Sequence, residues 1–298
     1  MVPRFGPWFH DHKLPGFWQS FKRGCGEGLR NKSKWLEQYG RVQYHLKTPT
    51  QPPGGADLYL IVSWPQALLW KDAPTPENIF FLRQGLDQWS GAAQGPKTSW
   101  KIHFAGAVIS QWLQDQMKTI EPQSYPVPIV PLGIDDGFFI NTIRDYQRLR
   151  VLLFRHPAKE EQYQEALRWI KQAKSAGIEF EIKELHSGRF NEDSHQTGLG
   201  QLFMETDFLL YPSQNDGWAM LVTEAMAAGV IPIAYPVGFL HDYGKPLENY
   251  LLLDQDSWME PLRQPETLAK ISLAGQELTR TFTWLDTAKK LVAVWQRT

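Results

Sequence analysis

The feature that most constrains the fold is the alternation of short apolar runs with helical stretches in the second half of the chain. Five such runs predict buried strands, at 150–155, 179–185, 207–211, 230–235 and 250–253. Helical stretches follow them, at 159–176, 199–205, 218–228, 265–280 and 284–296. Strands separated by helices form parallel sheets covered on both faces, and ligands of such sheets bind beyond the carboxyl ends of the strands.

The first half of the chain shows a weaker version of the same pattern. Buried strands are predicted at 56–62 and 78–82, and a third strand candidate at 126–134 leads into a loop. The stretch 101–117 ends in a helical pattern of apolar residues. A polar connection over 141–150 separates the two halves. Because 298 residues suit about two domains, we place a domain boundary there.

Composition excludes several classes of protein. With 42% hydrophobic and 21% charged residues, the chain is neither disordered nor a coiled coil. A net charge of −1 argues against nucleic acid as a partner. The single cysteine, Cys25, excludes an internal disulfide and fits a reducing compartment. The first residues lack the apolar core of a signal peptide, and the longest uncharged run, 225–240, is too short to span a bilayer, so we expect a cytoplasmic protein.

The near-neutral total conceals a basic first segment. Residues 1–50 contain nine Lys or Arg and three Asp or Glu, which gives this segment a charge of +6 and leaves −7 for the rest. Aromatic residues are interleaved with these cations. Such a surface suits peripheral contact with the anionic inner face of a membrane. The alternative is a solvated helix face whose aromatic residues lie in the core.

The stretch 207–243 carries the densest chemical signal. An apolar run ends in a turn, and a helix is predicted to begin after Asp216 and Gly217. The free N–H groups at this helix start would point toward the strand ends, where an anion can bind. Gly217 allows close backbone approach, and Gly238 follows the next strand in a second loop. Two carboxylates, Asp216 and Glu224, therefore lie with two glycine loops at one edge of the predicted sheet.

This stretch resembles the signature of glycosyltransferase family 4 (glycosyl transferases group 1): an acidic residue, a Gly-aromatic-small triplet, Glu-Ala-Met-Ala-x-Gly, and a later glycine loop. Further pieces resemble the family in the expected order: ADLYLIVSW at 56–64, AVISQWL at 107–113, VPLGIDDGFF at 130–139, RHPAKE at 155–160 and FTWLDTA at 282–288. The family has the GT-B fold, so the resemblance implies an α/β protein of two Rossmann-like lobes, with parallel sheets flanked by helices. The implied domains are a shortened first lobe on the acceptor side at 1–140, a nucleotide-sugar-binding lobe at 141–282, and a helix at 283–298 that packs back on the first lobe.

The resemblance also assigns roles to individual residues. Arg155 and Lys159 would meet the diphosphate of the donor and neutralise charge on the leaving group. Asp216 would contact the donor sugar, which makes these three residues the catalytic candidates. Glu224 would bind the ribose hydroxyls. The other donor-binding candidates are Gly217, Trp218, Ala219, Met220 and Leu221, whose backbone would hold sugar and phosphate, and Gly238 and Asp242, which flank the base and the diphosphate. The residues alone leave two alternatives open: Asp216 can cap a helix, and Arg155 and Lys159 can be solvated loop cations.

The acceptor side departs from the family pattern. Residues 1–15 contain no apolar strand that leads into a glycine-rich loop, which leaves Gly16 as the candidate loop glycine. Many members place a histidine after a strand of the first lobe, where this chain offers Arg83 and Gln84. These residues are the acceptor-side candidates, and the alternative for Arg83 is a structural role.

The resemblance implies a hexosyltransferase-like enzyme of glycan biosynthesis. Its donor would be a nucleotide diphosphate sugar, with a UDP- or GDP-sugar expected, and its acceptor a glycan, glycolipid or other molecule. Most members retain anomeric configuration and use no metal, so no metal and no other cofactor are expected. The short patterns Asp254-Gln255-Asp256 and His10-Asp11-His12 could hold a metal, but such patterns recur by chance. The departures on the acceptor side leave an alternative, a non-catalytic nucleotide-sugar-binding subunit of a glycan-synthesis complex.

Overall fold

A computed structural model of the protein describes residues 50–52, 56–86, 95–122, 127–155, 160–186, 195–254 and 257–297, with the backbone alone at 95–97 and 195–197. Several sequence predictions lie outside these residues, including those for the basic segment 1–49, for Gly16 and for Lys159. The described residues form two lobes, each built on a parallel sheet.

The first lobe contains, in its described part, a three-stranded parallel sheet. Its strands are β1 (Tyr59–Ile61), β2 (Ile79–Arg83) and β3 (Ala105–Val108), in the order β1-β2-β3. Its helices are α1 (Trp64–Leu69), α2 (Gly95–Trp100) and α3 (Gln111–Lys118). All residues of the central strand β2 are buried, as expected for a parallel strand covered on both faces.

The second lobe contains a five-stranded parallel sheet of order β5-β4-β6-β7-β8. Its strands are β4 (Leu149–Arg155), β5 (Phe180–His186), β6 (Phe208–Tyr211), β7 (Ile231–Ala234) and β8 (Leu251–Leu252). Its helices are α4 (Glu160–Ser175), α5 (His195–Met204), α6 (Met220–Ala227), α7 (Phe239–Tyr243) and α8 (Pro265–Thr279). Leu152 and Leu209 pack into one core, whereas their neighbours Val151 and Phe208 pack into another. Because successive strand residues point to opposite faces, this alternation places one core on each face of the sheet.

The last helix, α9 (Trp284–Trp295), lies against strand β3 of the first lobe. The hydroxyl of Thr287 donates to the carbonyl of Pro131 at 2.8 Å. Just before the helix, the carbonyl of Phe282 accepts from the N–H of Ile134 at 3.1 Å. The end of the chain is therefore bonded to the segment that precedes the second lobe.

Arg144 anchors the connection between the lobes. Its buried guanidinium donates to four backbone carbonyls, those of Phe203, Thr206, Ala228 and Gly229, at 2.7–2.9 Å. These carbonyls follow or close α5 and α6, where helix carbonyls have no partner within the helix. The side chain of Arg144 thus donates hydrogen bonds to the carboxyl ends of both α5 and α6 in the second lobe.

The α/β fold class and the parallel sheets predicted from the sequence are confirmed. The helical pattern predicted at the end of 101–117 is confirmed as α3. One strand prediction for the first lobe is wrong, and one strand of this lobe was not predicted. Residues 126–134 form no regular strand where they are described, only an isolated bridge between Ile129 and Val108, because Pro128 and Pro131 have no N–H to donate. The stretch 101–117 contains strand β3 before its helix, and the small residues of β3 gave little strand signal.

Helix α7 lies where the sequence predicts a loop. It has only five residues, which is too short to show a periodic apolar pattern. None of the described helices combines the length and apolar character that crossing a bilayer requires.

Candidate functional site at the carboxyl edge of the second sheet

The sheet order places a crevice between the ends of β4 and β6. Strand β4 pairs with β5 on one side and with β6 on the other, so the chain changes direction at this point. Ligands of open α/β sheets bind at such a switch point, outside the carboxyl ends of the strands. Arg155 ends β4, and the turn with Asp216 follows β6. The sequence-predicted motif therefore lies where the topology favours a ligand.

Asp216 organises the turn between β6 and α6. One carboxylate oxygen accepts from the N–H groups of Ala219 at 2.7 Å and Trp218 at 3.2 Å. The other accepts from the hydroxyl of Tyr211 at 2.8 Å. Burial first, and the charge of Asp216 next, raise the pKa of Tyr211 well above its ordinary value. These contacts close the turn that precedes α6 and do not cap the helix itself, whose N-cap residue is Ala219. Contact of Asp216 with a donor sugar stays a prediction.

The first turn of α6 presents unbonded N–H groups. Ala219 precedes the helix in a left-handed conformation, with φ of 62° and ψ of 61°. Its carbonyl accepts from Val222 and Thr223, while no described residue accepts from the N–H of Met220 or Leu221. The first N–H groups of a helix carry partial positive charge, so this turn can bind an anion.

Glu224 lies one turn further along α6 and is half-buried. Within the described ranges, its carboxyl group has no hydrogen bond and no ion pair. The 3₁₀ turn Asp136–Phe138 packs against α6, and Asp135 precedes it. Burial, and to a lesser extent the charge of Asp135, raise the pKa of Glu224 to about 8. A half-buried carboxyl group without a protein partner marks a candidate ligand site.

Two glycines bring backbone segments into direct contact at this edge. A Cβ on Gly217 would lie 2.1 Å from the carbonyl oxygen of Gln84, which belongs to the first lobe. Gly238 has φ of +51°, and a Cβ there would lie 2.7 Å from the carbonyl oxygen of Asp216. The backbone therefore approaches closely at Gly217, as the sequence predicts, and the approaching segment belongs to the first lobe. Gly238 packs against the backbone of the Asp216 turn.

Arg155 lies at the rim of the crevice and is exposed. Its guanidinium stacks over the ring of Tyr163 at 4.8 Å and pairs with Glu160 at 3.7 Å. Gln162, on the same first turns of α4, donates to the hydroxyl of Ser213 at 3.2 Å. The start of α4 is thus adjacent to the loop after β6. Contact of Arg155 with a diphosphate stays a prediction.

Other predicted site residues make different contacts. Trp218 is buried against Phe239 and Phe282, and its backbone N–H and carbonyl already bond to Asp216 and Phe239. Contact of its backbone with a donor stays a prediction. Arg83 is buried, donates to the carbonyls of Phe81 and Ile102, and holds a loop of the first lobe, as the structural alternative states.

Asp242 caps a helix of the first lobe. Its carboxylate accepts from the N–H groups of Gln111 at 2.6 Å and Trp112 at 3.0 Å, at the start of α3. Contact of Asp242 with the base and the diphosphate stays a prediction. In the described structure, both carboxylate oxygens of Asp242 accept hydrogen bonds from the N–H groups of α3. Sequence reasoning gave no role to Ser110 or Asp135. The only available signal for them was their position in the stretches 107–113 and 130–139, which resemble the family.

An open groove of about 630 Å³ lies at the opposite, amino end of the second sheet, lined by Tyr146, Phe180 and Arg263 among others.

Among the described residues, no group of three His, Cys, Asp or Glu side chains converges as a metal site would require. Metal independence remains a prediction.

The comparisons with known proteins agree with the fold. A family model described as glycosyl transferases group 1 matches residues 186–268, less than half of the chain but including the Asp216 turn and α6. No curated protein matches the chain.

Three solved structures illustrate the likeness. A variant of S. aureus TarM, solved with fondaparinux, alpha-GlcNAc-glycerol and UDP, has 12% identity and a TM-score of 0.56 over 78% of this chain and 53% of its own. Anabaena HepE, solved with UDP-glucose, has 14% identity and a TM-score of 0.56 over 81% and 79%. The catalytic domain of Starch Synthase IV from Arabidopsis thaliana, bound to ADP and acarbose, has 13% identity and a TM-score of 0.55 over 90% and 75%.

At these identities the likeness establishes the fold, which is the GT-B arrangement of two lobes. The chain spans about half the length of TarM.

Proposed function

We propose that the protein is a glycosyltransferase of the family 4 type that transfers a sugar from a nucleotide diphosphate sugar to a glycan, lipid or other acceptor. The proposal is carried by two features that lie one helical turn apart on α6: the N–H groups of Met220 and Leu221 and the carboxyl group of Glu224, none of which has a partner among the described residues. The first feature suits a diphosphate and the second suits hydroxyl groups. The match of residues 186–268 to the group 1 model, and the UDP, UDP-glucose and ADP with which the similar structures were solved, support the same ligand class.

The proposed chemistry follows from these groups. The bond between the anomeric carbon and the diphosphate breaks, and the acceptor hydroxyl oxygen forms the new bond while its proton passes to the leaving diphosphate. Negative charge grows on the leaving diphosphate. The positive end of α6 and the cation of Arg155 would stabilise that charge, with Lys159 as a second cation. Glu224 would hold the ribose, and the Asp216 turn would position the backbone around the sugar.

A binding experiment tests the donor site. Calorimetry with UDP, GDP and ADP on the wild type should identify the preferred nucleotide. Replacement Glu224→Ala should weaken its binding about tenfold or more, because the hydroxyl partner is lost. Glu248→Ala, on an exposed turn where Glu248 pairs with Lys245, is the matched control. Equal affinity of the wild type and the Glu224 variant would refute the site.

Transfer is tested by the release of nucleoside diphosphate from UDP-glucose and related donors in the presence of candidate acceptors. Release that depends on acceptor and is lost in Glu224→Ala supports an enzyme. Nucleotide binding without turnover on any acceptor would instead support the non-catalytic binding subunit. Retention of configuration is read from the anomeric proton of the product, and metal independence from activity that persists in a chelator.

Peripheral membrane contact and a cytoplasmic location complete the proposal. Residues 1–50 carry a charge of +6, so the full chain should sediment with vesicles that contain anionic lipid at low salt. Zwitterionic vesicles provide the control. An absence of sedimentation with anionic vesicles would exclude this contact.

A further inference from the structure

The N-terminus of α3 is capped from both lobes. Within its own lobe, the hydroxyl of Ser110 accepts from the N–H of Leu113 at 3.0 Å. The preceding two N–H groups, of Gln111 and Trp112, donate to the carboxylate of Asp242 on α7 of the second lobe. The side chain of Asp242 is only 5% exposed, so these charge-assisted bonds are shielded from water.

Ser110 also reaches the second lobe. Its hydroxyl donates to the carbonyl of Gly217 at 2.6 Å, so the cap of α3 is bonded to the turn that precedes α6. The backbone at Gln84 packs directly against the α-carbon of Gly217 on the same side. The first lobe therefore contacts the Asp216–Ala219 turn both through a hydrogen bond and through close packing.

The contacts have a consequence for lobe separation. Movement of α3 away from the second lobe would leave the N–H groups of Gln111 and Trp112 without their acceptor, and would release the carbonyl of Gly217. The same movement would return the carboxylate of Asp242 to water, with His241, whose Nδ1 lies 2.9 Å from it, as its remaining neighbour. Separation of α3 from the second lobe would therefore break all of these interlobe bonds together.

We infer that Asp242 and Ser110 form an interlobe latch that holds α3 against the second lobe and positions the Asp216–Ala219 turn. The two residues are positioning residues, because they act on the backbone at the start of α6. The latch itself follows from the interlobe bonds, whereas its effect on nucleotide affinity rests on the proposed function.

Hydrogen exchange of the α3 amides tests the latch without any ligand. Asp242→Asn keeps the shape of the side chain and removes its charge, and Asp242→Ala removes both acceptors. In these variants, hydrogen exchange at the amides of Gln111 and Trp112 should become about tenfold faster or more. The radius of gyration measured by small-angle scattering should also increase, because the lobes separate. Asp115→Asn is the matched control, since Asp115 lies on the same helix and, among the described residues, bonds only to Gln111 and Lys118 of that helix.

Three results would overturn the latch. The first is unchanged exchange at both amides in a folded Asp242 variant. The second is equal acceleration in Asp115→Asn, which would indicate general fraying of α3. The third applies if the Asp242 variants fail to fold: Ser110→Ala should then accelerate exchange at Leu113 and at the amides of the Asp216–Ala219 turn, and no change there would contradict the inference.

Nucleotide affinity provides the readout that a merely structural contact would not move. Asp242→Asn and Ser110→Ala should bind the preferred nucleoside diphosphate several-fold more weakly than wild type, while Asp115→Asn binds it equally. Equal affinity in all three variants would overturn the positioning role. If the wild type binds no nucleotide, the proposed function fails, and the exchange data still decide the latch.

Discussion

Glu224→Gln provides the sharpest test of the site, because the carboxyl group that it removes changes charge near neutral pH. In the folded protein, burial and the charge of Asp135 raise the pKa of Glu224 from 4.5 to about 8. In the unfolded chain the group titrates near its ordinary value. Between these two values the folded state binds one more proton than the unfolded state, so the free energy of unfolding decreases as pH rises from about 4.5 to about 8.

The size of the effect follows from the two pKa values. At about 1.36 kcal/mol per pH unit, the difference between 8 and 4.5 corresponds to about 5 kcal/mol. This is an upper value, because the carboxyl group is only half-buried and solvent screens part of its charge. Glutamine has nearly the same shape and remains neutral. The variant should therefore match wild type within about 1 kcal/mol at pH 5 and exceed it by a few kcal/mol at pH 8.5.

Urea unfolding at both pH values measures this difference, because contributions of all other groups cancel between wild type and variant. Glu248→Gln, at an exposed position, is the control and should leave the pH dependence unchanged. Asp135→Asn should reduce the effect without abolishing it, since burial is the larger cause. A difference between wild type and Glu224→Gln that is the same at pH 5 and pH 8.5 would refute the reasoning.

The remaining predictions concern packing and the proposed anion site. Arg144→Met should lower the free energy of unfolding in urea by about 3–5 kcal/mol, because four buried carbonyls lose the guanidinium and only those of Gly229 and Phe203 keep a second donor among the described residues. Arg168→Met, at an exposed position, should change it by less than about 0.5 kcal/mol. Gly217→Ala should lower the melting temperature and enlarge the protein in scattering, since its Cβ would lie 2.1 Å from a carbonyl oxygen, whereas Gly200→Ala, with its nearest atom at 3.4 Å, should do neither. Arg155→Ala should reduce nucleotide affinity about tenfold without changing stability, and a loss of stability instead would indicate a structural cation.

Much of the second lobe could be predicted from the sequence because its signals are local. The buried runs at 150–155 and 207–211 are continuous and apolar, and the structure confirms both as parallel strands, β4 and β6. The helix predicted over 159–176 is confirmed as α4, and Gly177 follows it with φ of +78°. The first lobe was harder, since short strands made of small residues, such as β3, have neither strong periodicity nor high strand propensity.

The candidate site also has one property that the sequence predicts and one that it does not. Its location could be predicted, because a strand followed by a glycine turn and a helix start is a local pattern that places Gly217 and Glu224 at the carboxyl edge. The partners of its side chains could not. Asp242 was predicted beside the nucleotide, and the structure bonds it to α3, 131 residues away in sequence from Gln111. Likewise Arg83, an acceptor-side candidate, is held inside the first lobe by carbonyls.

The sequence by itself determined the α/β class, the alternation of helices with parallel strands, and the edge of the sheet at which the candidate site lies. These properties depend on periodicity and burial over a few neighbouring residues. Only the tertiary structure decided that Gly217 approaches the other lobe, that Asp242 bonds to α3, and that the carboxyl group of Glu224 lacks a partner in the described part of the chain. Such properties depend on which distant groups share a small space, and on how much water that space excludes.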